Sequence, residues 1–94
     1  MQTQIFKGVQ THVRTENGAL IGTYRQTDVA KKEGNLITLT TGGWKTNTTK
    51  TRMNQFANNF CESKFQVYQK NYEWFVATSH DTYLFDSDSI RVEI

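Results

Sequence analysis

Apolar and polar residues alternate along the first quarter of the chain, with Ile5, Val9 and Val13 on one side of an extended run and Leu20 and Tyr24 on the same side of the next. Asn17 and Gly18 lie between them and supply the two positive-φ positions of a type I′ turn, so residues 2–26 are expected to form a β-hairpin. Pairing across that turn sets Gly22 opposite Val13, where a missing side chain permits close packing. Residues 27–35, with Lys31, Lys32, Glu33 and Gly34, read as a polar connection with room for a helical turn. Ile37 and Leu39 then alternate with threonine. Gly42 and Gly43 are expected to turn this strand into a partner at Trp44, Lys45 and Thr46, with Ile37, Leu39 and Trp44 on one face.

The period changes after that. Met53, Phe56, Ala57, Phe60 and Cys61 follow the i, i+3, i+4, i+7, i+8 spacing of one helical face, which predicts a helix over residues 48–62 capped by Thr48 or Thr49. Lys50, Asn54, Asn58 and Glu62 fall on its polar side. Residues 65–70 and 72–78 predict a third hairpin turning near Lys70 and Asn71, with Phe65, Val67, Trp74 and Val76 on the face that the helix covers. Residues 83–85 and 90–94 are expected to close the fold as two short strands around a turn at residues 86–89. These elements describe a small α+β domain: antiparallel hairpins with one amphipathic helix, a ββαββ unit preceded by an N-terminal hairpin.

Length and composition narrow the picture. A chain of 94 residues has material for one core, so residues 1–94 form a single domain. Fourteen Thr, seven Asn and seven Gln make 28 of the 94 residues while only 21% are charged, so the polarity is uncharged and β-leaning. No apolar run approaches the ~18–20 residues of a membrane span, and the N-terminus lacks a signal-peptide layout. A soluble, intracellular protein without a membrane partner is therefore expected. Cys61 stands alone, which excludes a disulfide framework, a paired-cysteine zinc site and a Cys-x-x-Cys motif, and no cofactor or metal is expected.

The segments ITLTTGGWKTNTTKTRMN, residues 37–54, and VYQKNYEWFV, residues 67–76, resemble a family of small uncharacterised proteins encoded mainly by bacteriophages. The resemblance covers the middle of the chain and leaves out the N-terminal hairpin and the tail. It implies a ββαββ unit, a phage origin and hence a place in the host cytoplasm. It implies no activity and carries no functional residues.

Charge points to one candidate site. Lys45, Lys50 and Arg52 surround the helix start, and no acidic residue lies between Lys45 and Asn59. A helix N-terminus carries about half a positive charge, so cations there are unfavourable unless something negative is present. Gly42, Gly43, Lys45, Thr48, Thr49, Lys50 and Arg52, with hydroxyls also at Thr46 and Thr51, therefore describe a cradle for phosphate or nucleic acid, assisted by Lys64 and Lys70. The spacing of a Walker A loop is missing, and a threonine-capped helix with solvated lysines is the commoner arrangement. Residues 44–70 carry five basic and one acidic residue and residues 71–94 one basic and five acidic, so the chain is polarised although its net charge is only +2.

A second candidate surface lies on the third hairpin, where Tyr68 and Phe75 are expected as diagonal neighbours beside Gln66 and Lys70. Such aromatics can stack bases. A second core under the N-terminal hairpin, or a homodimer interface, ranks ahead of that use. His12 and His80 sit in no catalytic motif, and Cys61 falls on the apolar stripe as a buried structural thiol. Asp86 and Asp88 lack the Gly and Glu of a calcium loop. The function expected is a non-enzymatic phage accessory protein that binds and modulates a host or defence macromolecule. Nucleic-acid or anionic-ligand binding at the Gly42 to Arg52 segment is the alternative.

Overall fold

In the computed structural model, which describes residues 11–43 and 45–94, Asn17 (φ 51°) and Gly18 (φ 83°) close a hairpin between β1 (Thr11–Glu16) and β2 (Ala19–Tyr24). Gly22 pairs with Val13 as the alternation requires. Ile5 and Val9 lie outside the described residues. The next segment departs from expectation. Residues 27–35 are no connection: β3 (Thr27–Glu33) pairs with β2 and with β4 (Leu36–Thr40). Val29 and Ala30 are buried side by side, and the ladder shifts register at Gly22/Thr23. A bulge of this kind hides the period-2 signal by changing which residues face inward.

Gly42 and Gly43 do not fold β4 back into a strand at Lys45 and Thr46; the chain there leads into helix α1 (Asn47–Phe60). Trp44 itself is outside the described residues. The helix begins one residue before expectation, and its cap is Thr46, whose Oγ1 accepts from the Thr49 N–H at 3.2 Å, not Thr48 or Thr49. Met53, Phe56 and Ala57 are fully buried and Phe60 half-buried. At the other end the chain turns through Glu62 and Ser63, both left-handed, and Ser63 N–H returns to Ala57 O. Lys32 reaches across from β3 to donate to Phe60 O at 3.0 Å, setting a cation on the negative end of the helix.

β5 (Phe65–Lys70) and β6 (Glu73–Thr78) form the third hairpin, turning on Asn71 and Tyr72, one residue later than expected. The two closing strands do not pair with each other. β7 (Thr82–Leu84) joins β6, whereas β8 (Ser89–Glu93) crosses to β4. The result is α+β with two antiparallel sheets, β1-β2-β3-β4-β8 and β5-β6-β7, and one helix. The ββαββ order is present as β3-β4-α1-β5-β6 behind the first hairpin, with its opening pair shifted toward the N-terminus.

Cross-strand rows explain the core. Lys32, Ile37 and Val92 lie in one row on the inner face of the large sheet, and Ala30, Leu39 and Ile90 in another. Phe65, Val67, Trp74 and Val76 line the inner face of the small sheet and are buried, as expected. They share one cluster with Met53, Phe56, Phe85 and the large-sheet residues. Trp74 and Phe85 meet edge to face at 6.0 Å. Ala19 and Ile21 are buried on the opposite face of β2, which explains an apolar run there with no alternation. On that outer face Arg14 ties the first three strands together: it donates to Asp28 at 3.1 Å and to Thr23 at 2.8 Å, and holds the Asp28 carboxyl below the usual carboxylate range.

The polar side of α1 is not all solvated. Asn54 turns its amide to the edge of β5, donating from Nδ2 to Val67 O at 2.8 Å and accepting from Val67 N–H at 2.7 Å. One side chain thus replaces a ladder partner for that strand.

Candidate functional site

The β4–α1 loop is held against the β2–β3 turn. Thr41 is buried, its N–H bonds Asp88 O at 2.7 Å, and its hydroxyl accepts from Gly43 N–H at 3.2 Å. Gly42 has φ +66° and lies so close to Thr27 that a Cβ would run into that side chain. Replacing Gly42 with alanine is expected to cost about 1–3 kcal/mol, part from the left-handed backbone and part from the contact. Adding Thr27→Ala should recover the steric part only, so thermal melts of the single and double variants separate the two. Equal melts for Gly42→Ala and wild type would contradict this.

The cations at the helix start have partners other than an anion. Lys45 donates to Phe85 O at 2.8 Å and stands 5.4 Å from the Phe85 ring centroid and 5.9 Å from that of Trp74. Lys50 lies 5.8 Å over the same Trp74. Arg52 donates to Gln55 Oε1 at 3.3 Å and sits 5.5 Å from the Tyr24 ring, while its Nε is buried without a partner. Aromatic faces are negative, so they offset the like-signed helix end that reading the chain left unexplained. The buried Thr49 hydroxyl bonds that of Thr46 at 3.1 Å. Lys70 does not join the group: it pairs with Glu73 on the opposite face of the small sheet from Trp74. Lys64, after the helix, forms an ion pair with Glu62 at 3.5 Å. Gly42, Gly43 and Thr48 remain exposed beside the helix start.

Sequence reading missed the pocket next to that start. His12, Tyr24, Arg25, Thr27 and Thr48 line an open concavity of about 1020 Å³ between the β2–β3 turn and α1. Arg25 adopts φ +59°, and its guanidinium, like that of Arg52, lies 5.5 Å from the Tyr24 ring. Neither guanidinium has an acidic partner among the described residues. The available signal was the Tyr24-Arg25 pair at a strand end, masked because the following segment read as a connection.

Among the described residues, the exposed large hydrophobics Tyr72 and Leu84 both belong to the small sheet, at its hairpin tip and on its outer face. Tyr68 and Phe75 are direct cross-strand partners, not diagonal ones, and their rings stack at 5.4 Å with an interplanar angle of 20°. Phe75 pairs in turn with Leu84, which is 45% exposed, and Tyr72 at the hairpin tip is 95% exposed. The described part of the N-terminal hairpin lies in the other sheet and does not cover this row.

Cys61 is buried, and burial pushes its thiol up to about 11, so it is protonated at neutral pH and poorly nucleophilic. His80 is exposed in a turn. Among the described residues no three His, Cys, Asp or Glu side chains converge as metal ligands, and no helix is long and apolar enough to cross a membrane.

A family model described as Kyanoviridae Gp96 protein matches residues 1–91. The chain belongs to this family of phage proteins. The match takes in the N-terminal hairpin and most of the tail, beyond the central segments that carried the resemblance. Neither a curated protein nor a solved structure matches the chain.

Proposed function

We propose that this member of the Kyanoviridae Gp96 family is a non-enzymatic phage accessory protein that binds a host protein through the outer face of its three-stranded sheet. The observation that supports this reading is the in-register row Tyr68, Phe75 and Leu84, with Tyr72 almost fully exposed at the hairpin tip, beyond the Lys70–Glu73 pair. Exposed apolar rows mark association sites, and tyrosine anchors are frequent in them. Charge favours a protein over nucleic acid: Lys70 and Glu73 oppose each other across the strands, leaving that end of the face without net charge. The two stacked rings also occupy each other's faces, which leaves less ring surface for bases. The partner surface is apolar, with acceptors for the tyrosine hydroxyls.

The test compares crosslinked captures from host lysate by wild type and by a Tyr72→Ala, Leu84→Lys variant whose fold is checked by circular dichroism. A host protein retained by wild type should bind the variant about 30-fold more weakly, as for a lost anchor of about 2 kcal/mol. Equal capture by both chains, or no enriched protein with wild type, removes this reading.

A second reading rests on Arg25 and Arg52, two guanidiniums on one tyrosine with no acid opposite, beside the threonine-rich helix start. They suit a phosphate-bearing ligand in the adjoining pocket. Labelled oligonucleotides titrated at low salt should bind wild type, bind more weakly as salt rises, and fail with Arg25→Glu and Arg52→Glu together. Binding unchanged in that variant, or absent in wild type, rejects it.

A further inference from the structure

The open edge of the five-stranded sheet carries a pattern that a second copy of the same edge would complete. β4 occupies one side of β8, where Asp88 O accepts from Thr41 N–H at 2.7 Å and Ile94 N–H donates to Asn35 O at 2.8 Å. Backbone groups alternate sides along an antiparallel strand, so those of Ser89, Arg91 and Glu93 point away from β4. No described strand occupies that side. Both edges of the small sheet are spoken for or short: Asn54 meets β5, and β7 has 3 residues. Edges are commonly blunted by proline, a bulge or charge; residues 89–94 carry no proline or lysine and pair with β4 without a bulge, and their two charges, Arg91 and Glu93, are of opposite sign.

The side chains specify the partner. Arg91 and Glu93 are exposed on the outer face, with no ion-pair partner among the described residues. Ile90 and Ile94 are half-buried on the inner face. Registers that keep both inner faces on one side pair positions of the same parity. With the two-fold axis at Val92, Arg91 of each copy faces Glu93 of the other, and Ile90 faces Ile94. The neighbouring allowed register sets Arg91 against Arg91, which like charge disfavours.

We infer that the chain forms a symmetric dimer by antiparallel pairing of β8 with β8 about Val92, joining two five-stranded sheets into one. This interface is separate from the outer face of the small sheet. A strand pair buries less than the ~800 Å² per partner of a standard interface, so association is concentration-dependent.

Sedimentation equilibrium over roughly a hundredfold concentration range, up to about 0.5 mM, reads it directly. The mass of wild type should rise from 10.9 kDa toward twice that value. Arg91→Glu and Glu93→Arg should each stay monomeric, and the double variant carrying both should associate again. A readout that needs no substitution is amide exchange at Arg91 and Glu93, which should slow as wild-type concentration rises. A wild-type chain that stays monomeric, exchange independent of concentration, or a dimer unaffected by Arg91→Glu overturns the inference. Loss of the dimer in Tyr68→Ser with Phe75→Thr, but not in Arg91→Glu, would place it on the outer face instead and also overturn it.

Discussion

Phe85→Ala is expected to lower stability by about 3–5 kcal/mol, the range for removing a fully buried aromatic ring and leaving a cavity. Phe85 has no exposed surface and lies where the chain leaves the small sheet for the large one. Its ring meets Trp74 edge to face at 6.0 Å and lies 5.4 Å from the Lys45 ammonium. Its backbone N–H donates to Trp74 O and its carbonyl accepts from Lys45. Alanine leaves the backbone bonds in place, so the loss is almost entirely packing together with the weakened contact to Lys45. A domain of this size holds about 5–15 kcal/mol in total, so the variant should unfold roughly 15–30 °C below wild type. Urea titration of the two chains measures the difference. A loss under about 1 kcal/mol would mean that the ring is not part of the core.

Asn54→Leu should come next, at about 2–3 kcal/mol, although leucine is the better helix former. The gain in propensity is a few tenths of a kcal/mol, whereas two backbone groups of Val67 lose their partner at a half-buried edge. Hydrogen exchange at the Val67 amide should accelerate together with the drop in melting temperature. Asn54→Asp separates the two bonds. An ionised aspartate still accepts from Val67 N–H but sets an oxygen against Val67 O, whereas a protonated one can donate to it. Its folded-state pKa is therefore raised, and the sign follows: its deficit against wild type should shrink as pH falls through that value and grow as pH rises. A deficit that does not change with pH would mean that the amide contact to Val67 O contributes nothing.

The parts of the fold readable in the chain were those set by near neighbours. Asn17-Gly18 announced its hairpin because two positive-φ positions in a row are rarely tolerated elsewhere. The stripe from Met53 to Cys61 announced the helix because five apolar residues at that spacing fit one face. β3 was unreadable for a physical reason: Val29 and Ala30 are adjacent, the bulge resets the ladder, and Lys32 points inward where Phe60 O receives its ammonium. A lysine in an inward row looks like a loop residue until its acceptor is known.

The candidate site divides the same way. Gly42, Gly43 and the threonines do stand at the helix start, and Thr48 borders a pocket. The surplus of positive charge there was correctly noticed, but its balance is supplied by Trp74, Phe85 and Tyr24, far along the chain. Tyr68 and Phe75 were legible as aromatic neighbours but as a diagonal pair; they are direct partners because the turn falls on Asn71 and Tyr72, one residue later than expected. Their half-exposed state depended on where the N-terminal hairpin went, which no local feature specifies.

Turn chemistry, the helical stripe and the alternation of β5 and β6 were thus inherent in the amino-acid order, because each is an interaction over a few residues. The choice of partners was not. Asn54 with Val67 on the β5 edge, Lys45 with Phe85 and, between β4 and β8, Thr40 with Ser89 join residues 13, 40 and 49 positions apart. Many such pairings satisfy the same local pattern, and only closure of one shared core around Phe56 and Phe85 selects among them.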